Sequence, residues 1–291
     1  MRPVLQTMRI AVPALALAAL AASCGDSDPQ PPDEPPGALL REAAANPPAS
    51  GRAKIAVDAL LAGDSLISGP AALRLEGPYA LDPVGDLPSF EFAMDAEVAG
   101  FGVDGSLVST GDDAFVVFFG ENYRVGVGRT AELERRLRGA TPGGDGGLGL
   151  RFDDWIRDPE YGEVEDVGGT DAVRVSGLTD PDAAFGSLIG LADQLGVPAG
   201  PLTVSEVSSG PADAWIALED RMLRRIRIQL EWAIPPSMRS QAGGVAGGAL
   251  TLDAEVSDVG AEVTVEPPPG GGFQPIEDLT DRISGLIGLA L

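Results

Sequence analysis

A single thiol and a large excess of carboxylates are the groups in this chain that could do chemistry. Cys24 is the only cysteine, histidine is absent, and 44 Asp and Glu face 20 Lys and Arg, for a net charge of −24. Without histidine there is no Ser-His-Asp or Cys-His nucleophile, no imidazole-bound zinc and no proton shuttle near neutral pH. Paired acids occur at Asp112-Asp113, Asp153-Asp154 and Glu165-Asp166. Two carboxylates can hydrolyse a glycosidic bond, but neighbours on extended backbone point to opposite sides, and turn or cap roles account for Asp112 and Asp153. Gly139 to Gly149 is glycine-rich yet lacks the Gly-Lys-Ser/Thr ending of a phosphate cradle and reads as a surface loop. Calcium-loop spacing is also missing. The inventory predicts a protein that is not an enzyme, with no catalytic residue, no metal and no cofactor.

Cys24 gains meaning from what precedes it. Arg2 and Arg9 form a basic start, Ala11 to Ala22 an apolar run, and Ala21-Ala22-Ser23 leads into the thiol. A run this short does not span a bilayer and has the build of an export signal. A cysteine at the cleavage point resembles a bacterial lipobox, with Ala21 where Leu is usual and Leu20 one place earlier. The predicted division is 1–23 as lipoprotein signal peptide, with Cys24 the lipidated residue. The competing reading is an ordinary secreted protein with a stray cysteine. Cleavage removes two cations and no acid, leaving 18 against 44 and a net charge of −26. That charge excludes a nucleic-acid partner, which needs a basic stripe. It also excludes electrostatic adhesion to anionic membranes, so attachment has to come from the acyl anchor. It suits a soluble, monomeric body.

Gly25 to Gly37 holds five prolines, four acids and no large apolar residue. It is predicted to be a disordered tether, residues 24–37 with the lipidated cysteine, reaching at most about 40 Å. The remainder, 38–291, is predicted to be one domain. Period-two alternation dominates it. Ala71, Leu73 and Leu75 alternate with Arg74 and Glu76, and Phe90, Phe92, Met94, Ala96 and Val98 with Glu91, Asp95 and Glu97. Ile226, Ile228, Leu230, Trp232 and Ile234 alternate with Arg225, Arg227, Gln229 and Glu231, and Leu250, Leu252, Ala254 and Val256 with Thr251, Asp253 and Glu255. Val173/Val175 and Val263/Val265 continue the series. One wet and one dry face signify antiparallel sheet. Helical spacing marks Arg129 to Arg138, Asp180 to Leu195 behind a Thr179-Asp180-Pro181 start, and Ile276 to Leu291 behind Pro275. Many strands with a few amphipathic helices give an α+β domain.

Phe115 to Phe119 is apolar at every position, so this strand is either covered on both faces or borders an apolar cavity. The residues alone leave filled core and open cavity equally open.

Several phrases, in this order, resemble the LppX/LprAFG lipoprotein family, a branch of the half-barrel lipid carriers that includes LolA-type lipoprotein chaperones. They are Asp113 to Tyr123, Phe152-Asp153-Asp154-Trp155-Ile156, Gly168 to Gly177, and Ala214-Trp215-Ile216-Ala217 leading into Leu223-Arg224-Arg225-Ile226. The likeness spans Leu39 to Val265; Pro78 to Pro88, Gly139 to Gly149 and the apolar end Ile276 to Leu291 depart from it. The resemblance implies a strongly curved antiparallel half-barrel with helices packed on its concave face. It implies a hydrophobic cavity there for acyl chains of lipids or glycolipids, carried or shielded across the envelope. Phe90, Phe92, Met94, Phe115, Val117, Phe119, Val173, Val175, Ile226, Ile228 and Leu230 are the expected cavity residues. The same resemblance places the protein on the outer face of the cell membrane, anchored through Cys24, with an envelope transporter as a candidate partner. The alternative is an anchored structural or regulatory module with a filled core and no ligand.

Overall fold

The computed structural model describes residues 29–64, 68–81, 87–140, 151–194, 206–240 and 243–282. The signal segment, Cys24, residues 25–28 of the tether, 141–149 of the glycine-rich loop and 283–291 of the C-terminal segment lie outside the described residues.

Strands β1 (Ser50–Gly63), β2 (Gly69–Ala80), β3 (Ser89–Val98), β4 (Phe101–Thr110), β5 (Ala114–Phe118) and β6 (Glu121–Arg124) follow one another as a meander. A second meander holds β7 (Ile156–Val167), β8 (Thr170–Thr179), β9 (Glu206–Ala217), β10 (Leu223–Ala233) and β11 (Val245–Ser257). The two halves join by antiparallel pairing of β1 with β11, and β12 (Gln274–Pro275) adds to β6 in parallel. The result is one open twelve-stranded sheet in the order β12-β6-β5-β4-β3-β2-β1-β11-β10-β9-β8-β7. With its helices it makes the curved, mostly antiparallel α+β half-barrel expected.

Curvature has a local cause in glycine. A Cβ on Gly77 would lie 1.8 Å from the Glu91 carbonyl oxygen, and one on Gly105 2.5 Å from that of Val117. Both positions share a face with apolar neighbours, so the adjoining strand closes over that face only because no side chain stands there.

Helix α1 (Pro36–Ala45) starts on proline and buries Leu39, Leu40 and Ala43. Helix α2 (Val127–Ala140) covers the segment expected from Arg129 to Arg138. Helix α3 (Pro181–Gln194) begins as the sequence suggests: the Asp180 carboxylate accepts the Ala183 N–H at 3.0 Å, with Pro181 at the first helical position. Residues 276–282 are helical. None of the helices among the described residues is long and apolar enough to cross a membrane. The main core lies where α1, the 3-10 turn Phe152–Asp154 and α3 meet β7 to β10, around Trp155, Val173, Val175, Ile216, Ile228 and Leu230.

Two expectations are corrected. The tether is ordered before Gly37: helix α1 already begins at Pro36, the Glu34 carbonyl accepts the Tyr161 hydroxyl at 2.9 Å, and its carboxylate meets Arg221 at 2.7 Å. Val263 and Val265 belong to an irregular segment rather than a strand. Their flanks carry Pro267 to Pro269, which lack the N–H a ladder needs. Strand β1 went unread because its pattern of Ala53, Ile55, Val57 and Ala59 is weakly apolar and broken by Ala56.

The register of β10 is directly testable. Ile228 is fully buried and Arg227 exposed. Ile228→Asp is expected to cost about 4 kcal/mol or prevent folding, as a buried unpaired charge does. Arg227→Glu is expected to stay within about 0.5 kcal/mol. Urea melts of the two variants decide, and equal midpoints would refute the register.

Candidate functional site

Residues directly opposed across an antiparallel pair share a face. From Ile228 one row runs through Leu252, Val57 and Leu73 to Ala96. From Ile226 the next runs through Ala254, Ile55, Leu75, Met94 and Gly105 to Phe118. A third passes from Phe92 to Leu107, Val116 and Tyr123. Val173 and Val175 join the same face through Ile216 and Ala214, the latter opposite Ile226. The structure therefore brings Phe90, Phe92, Met94, Val173, Val175, Ile226, Ile228 and Leu230 onto the one concave, helix-bearing face.

Phe115, Val117 and Phe119 are not part of it. Val117 opposes Ser106, which continues through Ala93 to Glu76, a row of the outer face. Phe115 is buried on that outer face, its ring 4.9 Å from that of Phe273 in the C-terminal segment. Phe119 is 63% exposed in the β5–β6 turn with φ of +51°, so it does not continue the strand. The inward residues here are Val116 and Phe118. A run of five apolar residues carries no parity, which is why the choice of face failed; the outer face of this strand is covered at Phe115, whereas Val116 on the inner face is only partly buried.

The concave face divides by burial. Under α1 and α3, Val173, Val175 and Ile228 are fully buried and Leu230 is 2% exposed, a packed core. Across β1 to β5, Ile55, Val57, Leu73, Leu75, Phe90, Phe92, Met94, Leu107, Val116 and Phe118 are only partly buried. Phe90 and Phe92 stack at 5.0 Å between centroids.

Polar groups at the margin are few. Arg224 is 5% exposed at the start of β10, where the register shifts between Leu223 and Arg225. Its Nη2 donates to the Asp220 carboxylate at 2.5 Å, while its Nη1 is buried with no hydrogen-bond partner. From the other half, the Tyr79 hydroxyl donates to the Pro48 carbonyl at 3.2 Å. Burial pushes the Tyr79 phenol up to about 12, against the opposing charge of Arg224. Sequence reasoning gave Arg224 no role.

The paired acids serve the backbone and surface. Asp113, rather than Asp112, is buried; its carboxylate accepts the N–H groups of Ala114 and Gly126 at 2.9 and 3.2 Å and pairs with Arg124. Asp153 accepts both arms of Arg151 at 3.0 and 2.9 Å. Glu165 accepts the Trp215 indole at 3.3 Å, and Asp166 the Gly169 N–H at 3.2 Å in the hairpin turn. Beside β6, Arg282 binds Glu121 and donates to the Tyr123 hydroxyl at 2.6 Å, tying helical residues 276–282 to the sheet. The Tyr123 hydrogen bond, followed by that of Arg282, holds the Glu121 carboxyl below its usual range.

An open half-barrel with an apolar concave face is the class of protein this geometry defines. No family model and no curated protein matches the chain. Among solved structures it is similar to LprF from Mycobacterium bovis, at 15% identity and TM-score 0.42 over 81% of this chain and 97% of that one. It is also similar to the lipoprotein LppX of Mycobacterium tuberculosis, at 15% identity and TM-score 0.38 over 79% of this chain and 96% of that one.

The phenol sets a pH dependence. An unfolded Tyr79 ionises near 10, whereas the folded one keeps its proton to about 12. Between these values the folded state binds more protons, so the contribution of Tyr79 to stability is expected to be constant below pH 10 and to fall as pH rises through the window. Urea melts at stepped pH should show a shallower fall for Tyr79→Phe; an unchanged slope would mean the phenol is not held neutral.

Proposed function

We propose that this is a lipid-anchored envelope protein whose concave sheet face binds acyl chains of a lipid or glycolipid and shields them from water. One observation carries the reading: the inner rows of β1 to β5 through Ile55, Val57, Leu75 and Phe92 are apolar yet only partly buried, beside an apolar half whose centre packs fully buried against α1 and α3. Small-molecule sites are concave and mostly apolar. A contiguous, incompletely covered apolar face in a chain this acidic is surface that selection retains for a ligand or partner. Each buried methylene of a chain contributes about 0.8 kcal/mol, so the binding needs no polar catalysis or metal. Cys24 supplies membrane attachment, with residues 25–35 as the link to α1. The second reading, an anchored module with a filled core, draws on the packed half alone.

Two substitutions separate them. Phe92→Trp adds volume on the partly covered half and is expected to keep the melting temperature while reducing co-purified lipid, read by mass spectrometry of organic extracts. Leu230→Trp overfills the packed half and is expected to cost about 1–3 kcal/mol. Equal destabilisation of both, with no lipid extracted from the wild type, would favour the filled-core module.

For the anchor, Cys24→Ser is expected to move the protein from membranes to the soluble fraction, since the acidic body has no attraction of its own for anionic lipid. Pelleting of the serine variant at high salt would refute acylation at this residue.

A further inference from the structure

Arg224 is the one Lys or Arg that is buried among the described residues. The other arginines that form ion pairs are themselves at least partly open to water, as Arg52 with Glu76 and Arg225 with Asp253, even where the carboxylate is buried, as Asp113 is beside Arg124. Arg224 is different. A bulge at Leu223/Arg225 supplies an extra residue at the start of β10, and bulges re-aim side chains in this way. Counting back from Ile228 and Ile226, Arg224 falls on the concave face. Leu223 beside it packs against the main core, so this corner of the face is apolar except for the guanidinium.

A guanidinium presents its N–H donors as a planar fork that matches a carboxylate or phosphate. Here Asp220 takes Nη2 and also accepts the Met222 N–H at 3.0 Å, while Nη1 is out of water with no acceptor. A buried charged donor left unmet is unfavourable, and an oxyanion at Nη1 would relieve it. Tyr79, on β2 beyond β11 and β1, feels the charge of Arg224, stays a neutral phenol and adds no competing negative charge.

Resting on the acyl-chain reading, we propose that Arg224 is the head-group subsite: it binds the phosphate or carboxylate of an anionic lipid whose chains lie on the inner face of β1 to β5.

The test compares dioleoylglycerol with dioleoyl phosphatidate, which have the same chains, for binding to the full chain in detergent by native mass spectrometry. The wild type should prefer the phosphatidate by about tenfold, the scale of one charged hydrogen bond. Arg224→Met should lose that preference and keep its affinity for dioleoylglycerol. A purely structural arginine would lower both affinities together or neither. Asp220→Asn, which leaves the arginine in place and removes its counter-charge, should raise the preference, and it decides the matter if Arg224→Met fails to fold. Equal preference in the wild type and both variants overturns the subsite while leaving chain binding intact. If the wild type binds neither lipid, the acyl-chain reading fails. The subsite then stands, as a site for free phosphate, only if inorganic phosphate raises the melting temperature of the wild type and not of Arg224→Met; without that shift it falls too.

Discussion

Everything in this molecule depends on one unbroken ladder, the register that runs from β10 through β11, β1, β2, β3 and β4 to β5. Side chains alternate with a period of two, so a slip of one residue at any seam would turn the apolar rows outward for every strand beyond it. The seam that matters most is β1 against β11, because it alone joins the two meanders. There the pairing stays in step from Arg52 opposite Ser257 to Ala62 opposite Gly247, and shifts only at Gly63. Outer-face charges mark the same register: Lys54 lies between Glu76 and Glu255, Arg74 meets Asp58 at 2.5 Å, and Arg225 grips Asp253 with both arms. Exposed pairs of this kind contribute little to stability. Their effect is on alternatives, since a slipped β1 would carry Lys54 and Asp58 onto the apolar inner face, away from Glu76, Glu255 and Arg74.

The same face meets two fates because α1 and α3 cover only part of it. Twelve strands spaced about 4.8 Å apart make a sheet some 50 Å across before curling. A helix with its side chains is roughly 10 Å wide, so α1 and α3 side by side cover about four strands. They settle over β7 to β10, where Trp155 donates to Ser187 at 3.2 Å and links the 3-10 turn to α3. Geometry thus forces the first meander to present apolar rows that these helices do not reach. Edge protection follows a similar economy. At one end β12 pairs with β6 over only two residues, backed by the Phe115–Phe273 contact and the Asn122 side-chain N–H to the Pro269 carbonyl at 3.0 Å. At the other, β7 is irregular: Asp158 has φ of +50°, Pro159 has no N–H, and the register shifts twice. A bent, charged edge is a poor template for another chain.

Strands that alternate apolar residues with charge were legible from sequence because the charge reports the wet side. Phe90 to Val98 and Arg225 to Trp232 fall in β3 and β10 with the expected faces, and the Asp180-Pro181 start of α3 was equally clear. Where every residue is apolar, as in Phe115 to Phe119, parity has no reporter, and only pairing to Ser106 and Leu107 on β4 fixes it. Strand β7 was hidden for the opposite reason, since Glu160, Glu163, Glu165 and Asp166 outweigh Tyr161 and Val164 and its two register shifts break the period. The division of the inner face into packed and partly open halves could not be read locally either. It depends on which strands the helices reach, a long-range property.

Arg224 shows how a local pattern can hold information that its neighbours mask. In Leu223-Arg224-Arg225-Ile226-Arg227-Ile228, Arg225 and Arg227 fall at outward parity, with Ile226 and Ile228 inward. Carried one step further back, the same count puts Arg224 inward, a cation at a core position. Two adjacent arginines at the start of a strand read easily as frayed surface charge, and the bulge conceals the parity further. In a chain with 44 acids and 20 bases, a buried cation is an expensive use of a scarce group. Asp220 meets one arm of it and sits nearer the surface than the arginine it pairs with. The incomplete pairing sits on β10, separated from the apolar rows of β1 to β5 by β11 alone, and the polar end of an amphiphile lying along those rows would meet it there.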